Sequence, residues 1–219
     1  MALALGTNSG FVTTAPTSDP SGGLQTAVAI SAFGISTVTK DTSPSNAATI
    51  TEIGWWCDGA TQESNFAVGL YSDSSGAPST RLFVSATNAK GTTAGWKTVS
   101  VNWTISGSTP YWIGVQCDET TTTTWTDNES SGGSGYDSKA FQTSLPNPFS
   151  GGALDDTDGM VAFYAVWQAA LTVQTGVNIN IGDAWKSSTA MQINIGDSWK
   201  QVTGVKVNIG DSWKDVSLA

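Results

Sequence analysis

The last fifth of the chain repeats one fourteen-residue unit three times, and this repeat limits what the region can fold into. The units span residues 177–190, 191–204 and 205–218, and each contains the string NIGDAWK or NIGDSWK. An alternating segment followed by Gly-Asp and then Trp-Lys predicts a strand, a tight turn and a second short strand. A lone hairpin of this kind is marginal in water because it cannot bury an apolar face. The units therefore have to stack on one another or on another chain.

The repeat places bulky side chains at identical spacing. Its tryptophans are predicted to pack in the stacked interfaces, and its lysines to lie over aromatic faces or to pair with Asp183, Asp197 and Asp211. The predicted assembly residues are Trp185, Trp199, Trp213, Lys186, Lys200 and Lys214. A calcium loop does not fit, since a glycine precedes a single aspartate and no second carboxylate follows at ligand spacing. We therefore predict a packing repeat that holds no metal and no cofactor.

The preceding region consists of short alternating apolar runs separated by Gly, Ser, Thr, Asp and Pro. This pattern is typical of an antiparallel β-sandwich, and helical periodicity is nowhere as strong. In the run ITEIGWWCDG, alternation places Ile53, Trp55 and Cys57 on the core face. The run MVAFYAVWQ is apolar on both faces, which predicts a central strand covered on both sides or one covered by a neighbouring subunit.

We therefore predict an all-β chain in three parts. Residues 1–24 form an N-terminal arm, residues 25–170 an antiparallel sandwich, and residues 171–219 the β-hairpin repeat region. Cys57 and Cys117 each precede an aspartate in two similar strands, so that a disulfide between them is conceivable. Synthesis in a cytoplasm favours two buried thiols instead.

The chain contains no histidine, which excludes Ser-His-Asp and Cys-His catalysis in their usual form. Carboxylate chemistry such as glycoside hydrolysis stays open in principle because Glu52, Glu63, Glu119 and Glu129 are present, but no spacing singles out a pair. The string DDTDG at residues 155–159 is a better calcium candidate than the repeat, although acidic turns are ordinary surface features. We predict no enzymatic activity.

The formal net charge of −9 arises entirely in residues 1–176, which hold fourteen acidic and five basic side chains. Binding to a phosphate backbone requires clustered Lys and Arg, whereas this chain has a single arginine, Arg81. Nucleic acid is therefore not an expected partner. The first residues lack the basic region of a secretory signal, and no run approaches the roughly 18 apolar residues of a membrane helix. We expect synthesis in a cytoplasm and no membrane insertion.

Two long polar loops are predicted, at residues 119–138 and 143–159, and loops of this length are usually functional or flexible. Exposed aromatic rings can stack on sugars, so a host-surface glycan is an alternative partner. The predicted glycan-binding residues are Trp56, Trp112, Trp125 and Tyr136. Burial against a loop or a second subunit is an equal alternative for the first two, whereas Trp125, alone in a threonine run, is the best choice for an exposed functional aromatic.

The tandem INIGDxWK units resemble repeats at the C-termini of structural proteins of tailed bacteriophages, including tail-fibre and head-associated proteins. The front region, with FAVGLYSDSSGAPSTRL and GWKTVSVNWTI, is similar in pattern to jelly-roll sandwiches of phage surface proteins and of bacterial carbohydrate-binding modules. The resemblance implies a jelly-roll-like domain in a non-enzymatic virion protein that decorates the head or forms part of a tail fibre. The sandwich would face outward, and the repeats would dock on other virion proteins or form a homo-oligomer. The implied location is the virion, after synthesis in the host cytoplasm.

Overall fold

The computed structural model describes residues 2–21, 25–29, 35–58, 63–118, 122–127, 137–141, 144–149, 160–170, 177–181, 184–188, 192–195, 198–201, 205–209 and 212–216. These ranges confirm the predicted all-β class, and no helix within them is long and apolar enough to cross a membrane. The strands are β1 (Gly10–Val12), β2 (Gln25–Ala29), β3 (Ile35–Thr42), β4 (Ala47–Cys57), β5 (Asn65–Ser74), β6 (Ala77–Val84), β7 (Asn88–Ala89), β8 (Gly95–Thr104), β9 (Pro110–Cys117), β10 (Thr123–Asp127), β11 (Asp137–Phe141), β12 (Phe163–Ala169), β13 (Val177–Ile181), β14 (Ala184–Ser188), β15 (Gln192–Ile195), β16 (Ser198–Gln201), β17 (Val205–Ile209) and β18 (Ser212–Val216). The chain divides into two compact units, Met1–Ala170 and Leu171–Ala219.

The first unit contains two large sheets whose inner faces share one core. The four-stranded sheet has the order β1-β12-β4-β8, and the six-stranded sheet has the order β11-β3-β9-β5-β6 with β7 beside β5. Ile53, Trp55 and Cys57 of β4 lie in this core, as alternation predicts. The core also receives alternate residues of β9, from Tyr111 to Cys117. Both cysteines are buried there as thiols, as expected for a small apolar role.

Strand β12 lies inside the four-stranded sheet, and residues 161–165 are fully buried. This confirms the prediction of a central strand from the run that is apolar on both faces. On one side β12 pairs in parallel with β1, whose Gly10 lies opposite Tyr164. Residues 10–12 of the predicted N-terminal arm therefore belong to the sheet, in a strand too short to show alternation.

Strand β1 is also held from the side by an aspartate of β3. The Oδ2 atom of Asp41 accepts a hydrogen bond from the backbone N–H of Phe11 at 2.8 Å. Burial raises the pKa of Asp41, although the backbone donors of Phe11 and Thr42 act in the opposite direction. The N-terminal segment is thus fixed by strand pairing and by a long-range side-chain contact together.

Residues 123–127 form a strand, so the prediction of one uninterrupted loop over residues 119–138 is wrong there. Strand β10 pairs antiparallel with β2 as a separate two-stranded sheet. The threonines 122, 124 and 126 are buried, and Trp125 is only partly exposed. The β-branched threonines favour an extended backbone, and their alternation with Trp125 is a strand pattern in polar residues.

The second unit contains three antiparallel strand pairs, β13–β14, β15–β16 and β17–β18. Each pair forms a two-stranded sheet of its own within the described residues. The register is the same in all three, because Asn180 lies opposite Trp185, Asn194 opposite Trp199 and Asn208 opposite Trp213. The three sequence repeats thus fold into three equivalent backbone units.

Candidate functional site

The outer face of the six-stranded sheet is covered by residues 144–149, which we call the covering segment. Gly69 of β5 and Gly114 of β9 lie directly opposite each other in the ladder and leave a depression there. Leu145 occupies it: a Cβ atom on Gly69 would lie 2.9 Å from Cδ1 of Leu145, and one on Gly114 would lie 3.3 Å from Cδ2. The hydroxyl of Tyr71 donates to the carbonyl of Pro146 at 2.9 Å. Burial of this hydroxyl raises the pKa of Tyr71, although the positive charge of Arg81 acts in the opposite direction.

Trp112 lies beneath this segment and is 1% exposed. It packs in a small cluster with Val38, Tyr71 and Leu145. Its indole Nε1 donates to Oδ1 of Asp73 at 2.9 Å, and Nζ of Lys40 lies 5.6 Å from the centre of its ring system. At this exposure neither ring face of Trp112 is open to a ligand, which does not favour the predicted sugar-stacking role. Burial against a loop, the alternative reading, is what the structure shows.

Asp73 links three elements at this point. Its Oδ1 atom lies 2.9 Å from Nζ of Lys40, and its Oδ2 atom accepts from the backbone N–H of Gly76 at 3.0 Å. Partial burial pushes the pKa of Asp73 upward, but the hydrogen bonds from Lys40, Gly76 and Trp112 outweigh it and hold the pKa below its ordinary value. The carboxylate of Asp73 therefore binds a proton less readily in the folded chain than in the unfolded chain.

Replacement of Asp73 by asparagine is expected to change how stability depends on pH. Because the pKa of Asp73 is lowered by folding, its ionised form stabilises the fold above the unfolded pKa of about 3.9, and this contribution is lost as the pH falls through the lower folded value. We expect Asp73→Asn to lower the free energy of unfolding at pH 6 by about 1 kcal/mol. Below about pH 4 the free energy of unfolding of Asp73→Asn should fall less steeply with falling pH than that of the wild type.

Urea unfolding at a series of pH values measures this difference. Glu63→Gln is the matched control, because the Glu63 side chain is exposed and makes no hydrogen bond within the described residues. That variant should follow the wild-type curve. If the free energy of unfolding of the wild type and of Asp73→Asn changed with pH in parallel, the ionised Asp73 would not stabilise the fold.

The outer face of the four-stranded sheet carries an aromatic cluster. Trp56 and Trp96 lie opposite each other in the β4–β8 ladder with ring centroids 5.4 Å apart, and Trp96 lies 5.2 Å from Tyr164. The hydroxyl of Tyr164 donates to Oε1 of Glu52 at 2.6 Å. Burial raises the pKa of Tyr164, and the bond to Glu52 and its negative charge raise it further. Glu52 thus serves as a hydrogen-bond acceptor on this face.

Trp56 and Trp125 both belong to a packed apolar cluster that includes Leu3 and Ala162. Trp56 is 8% exposed, so burial rather than presentation to a ligand describes it. Trp125 is partly buried against the same cluster and is not the exposed aromatic that we expected. The Nε1 atoms of both indoles are buried and have no hydrogen-bond acceptor among the described residues. Tyr136 lies outside the described residues.

A groove on the six-stranded sheet lies beside the covering segment, and sequence reasoning missed it. Its volume is about 290 Å³. Its polar lining residues include Asn65, Arg81, Ser85, Gln116 and Asp118. Among its described lining residues the one aromatic side chain is Phe66, which is buried. Arg81, the single arginine of the chain, is the one sequence feature that could have indicated this groove. The other lining residues come from strands far apart in sequence.

The predicted assembly residues lie in the hairpin strands. Lys186 is paired with Ile179, Lys200 with Ile193 and Lys214 with Val207. Each of these lysines directly follows a tryptophan in its strand. Asp183, Asp197 and Asp211 lie outside the described residues.

The described residues contain no group of three or more His, Cys, Asp or Glu side chains placed to hold a metal ion. Of the carboxylates considered for hydrolysis, Glu52 accepts a hydrogen bond from Tyr164, and Glu63 is exposed. Glu119, Glu129 and residues 155–159 fall outside the part of the chain that the structure describes. The described ranges thus hold two of these four glutamates, one on β4 and one just before β5.

The fold and these surfaces define an all-β protein of the β-sandwich type. No family model, curated protein or solved structure matches the chain.

Proposed function

We propose that this chain is a non-enzymatic structural protein of a tailed bacteriophage virion, exposed on the particle as a head decoration or as part of a tail fibre. The single observation that carries the proposal is the set of three two-stranded hairpins with one shared register. The sandwich is directed outward, and the hairpins dock on other virion proteins or on further copies of this chain.

The physics of short hairpins supports an assembly role. A two-stranded sheet has two open edges, each with unpaired backbone N–H and C=O groups, and is marginal by itself in water. Three such sheets with identical registers offer three equivalent surfaces, and equivalent surfaces favour symmetric association. The tryptophans supply the apolar area that such contacts need.

The assignment to a phage particle is based on the sequence of the repeats. The INIGDxWK units resemble those of phage structural proteins, and the absence of histidine disfavours common catalytic devices. The alternative of glycan recognition by stacking on Trp56 and Trp112 receives no support, because both indoles are buried.

The test is the association state of the full chain. We expect the wild-type chain to sediment as an oligomer at micromolar concentration, and the triple variant Trp185→Ala, Trp199→Ala, Trp213→Ala to sediment as a monomer, because the variant removes the largest apolar side chains of each hairpin. Analytical ultracentrifugation over a concentration series measures this.

The matched control is the triple variant Lys186→Met, Lys200→Met, Lys214→Met, which keeps the side-chain length and removes the charge. Exposed charge contacts are worth only about 0.2 to 1 kcal/mol each, so this variant should still associate, at most a few-fold more weakly. Near-UV circular dichroism checks that the sandwich stays folded in both variants. A wild-type chain that is monomeric at all concentrations, or a tryptophan variant that assembles like the wild type, would refute the assembly role.

A further inference from the structure

We propose that the groove beside the covering segment binds a neutral saccharide through a pair of neighbouring hydroxyl groups. We call it the β5–β6 groove; it is lined by residues of β5, β6 and β9 and by the covering segment. Its volume of about 290 Å³ lies at the lower end of the range for small-molecule pockets. The inference does not depend on the assembly role of the hairpins.

Arg81 supplies hydrogen-bond donors to this groove. One guanidinium nitrogen, Nη1, donates to the carbonyl of Leu145, and no carboxylate of the described residues lies within ion-pair distance of Arg81. A guanidinium carries five N–H donors in a planar fork, so most of its donors are left for a ligand. The bond to Leu145 fixes the side chain against the covering segment, which limits the entropy lost on binding.

Asp118 supplies the matching acceptors. Its oxygens accept from the backbone N–H and the side-chain amide of Asn65, at 2.6 and 3.1 Å. A carboxylate can accept about four hydrogen bonds, so Asp118 keeps further capacity while Asn65 holds it in place. The side chain of Asp118 is exposed. Each hydroxyl of a sugar both donates and accepts, and two neighbouring hydroxyls can therefore engage a guanidinium and a carboxylate at once.

The groove also offers an apolar wall. Val84 lines it and is 43% exposed, and Ala67 and Leu145 line it as well. The C–H face of a pyranose ring is apolar and can pack on such a surface without an aromatic ring. The excess of acidic over basic side chains in residues 1–176 disfavours an anionic ligand, which is why we assign a neutral saccharide.

The experiment titrates the full chain with neutral sugars and their acidic counterparts, namely glucose and galactose against glucuronate and galacturonate. Saturation-transfer NMR detects weak binding whatever the association state. We expect at least one neutral sugar to bind with a Kd on the order of 1 mM, as befits a small ligand with few contacts. Its uronate should bind more weakly.

Two variants test the location. Asp118→Asn removes the ionised acceptor, and Val84→Glu places a charge on the apolar wall; each should weaken binding at least tenfold. Leu82→Glu is the matched control, because Leu82 is on the same strand, is 42% exposed and does not line the groove. Val84→Glu also keeps the test valid if Asp118→Asn fails to fold, since Val84 is exposed.

A tenfold loss in both groove variants with an unchanged Leu82→Glu would support the assignment. Absence of binding by every neutral sugar, wild-type affinity in Val84→Glu, or tighter binding of the uronates would overturn it. The readout is saccharide binding and not sedimentation, so this inference and the assembly role can fail independently.

Discussion

Replacement of Trp112 by alanine is expected to lower the free energy of unfolding by about 3 to 5 kcal/mol, the range for a large buried aromatic side chain. The side chain is 1% exposed and fills the space between the six-stranded sheet and Leu145. Its removal opens a cavity and also leaves Asp73 without the indole donor. Chemical denaturation, followed by the near-UV circular dichroism of the first unit, measures this loss of stability.

Trp112→Phe separates the hydrogen bond from the packing. Phenylalanine keeps an aromatic ring but lacks the Nε1–H donor, so the expected loss is about 1 to 3 kcal/mol. Trp125→Phe is the matched control, because the Nε1 of Trp125 is buried and has no acceptor in the part of the chain that the structure describes. Loss of the Nε1–H donor of Trp125 should therefore change the free energy of unfolding little. Equal losses in the two phenylalanine variants would show that the bond to Asp73 adds nothing to stability.

Trp112 also shows which part of the fold sequence reasoning can predict. Strand alternation alone puts Tyr111 and Ile113 on one face of β9 and Trp112 on the other, because a strand has a period of two residues, and the two faces pack in separate clusters. It said nothing of what covers that other face. The covering segment is distant in sequence, and its contact depends on the opposed Gly69 and Gly114, whose pairing requires the strand register. No local pattern carries that information.

The candidate site was harder to predict than the fold for a related reason. The sequence offers Trp56, Trp112 and Trp125 as candidate sugar-stacking aromatics, but their exposure depends on neighbours contributed by other segments. Arg81 and Asp118 lie on β6 and just after β9, and β5 lies between these strands. Only the sheet order brings them to one groove, so composition identified Arg81 as unique without indicating its partners.

Gly54→Ala is expected to lower the free energy of unfolding by about 1 to 3 kcal/mol, the usual cost of excess volume in a packed region. A Cβ atom at Gly54 would contact the ring of Tyr164 and lie 2.5 Å from its hydroxyl oxygen. Tyr164 cannot move aside without cost, because it is fully buried, packs on Trp96 and donates to Glu52. The glycine is therefore required by its neighbour and not by an unusual backbone conformation.

A double-mutant cycle with Tyr164→Val tests that cause. Valine suits a strand and leaves room for the added methyl group, so Gly54→Ala should cost little in the Tyr164→Val background. Tyr164→Phe is the matched control: it removes the hydroxyl but keeps the ring, and most of the cost of Gly54→Ala should persist. Urea unfolding of the single and double variants gives the coupling energy. If the costs of Gly54→Ala and Tyr164→Val add without coupling, the ring of Tyr164 is not what excludes a side chain at position 54.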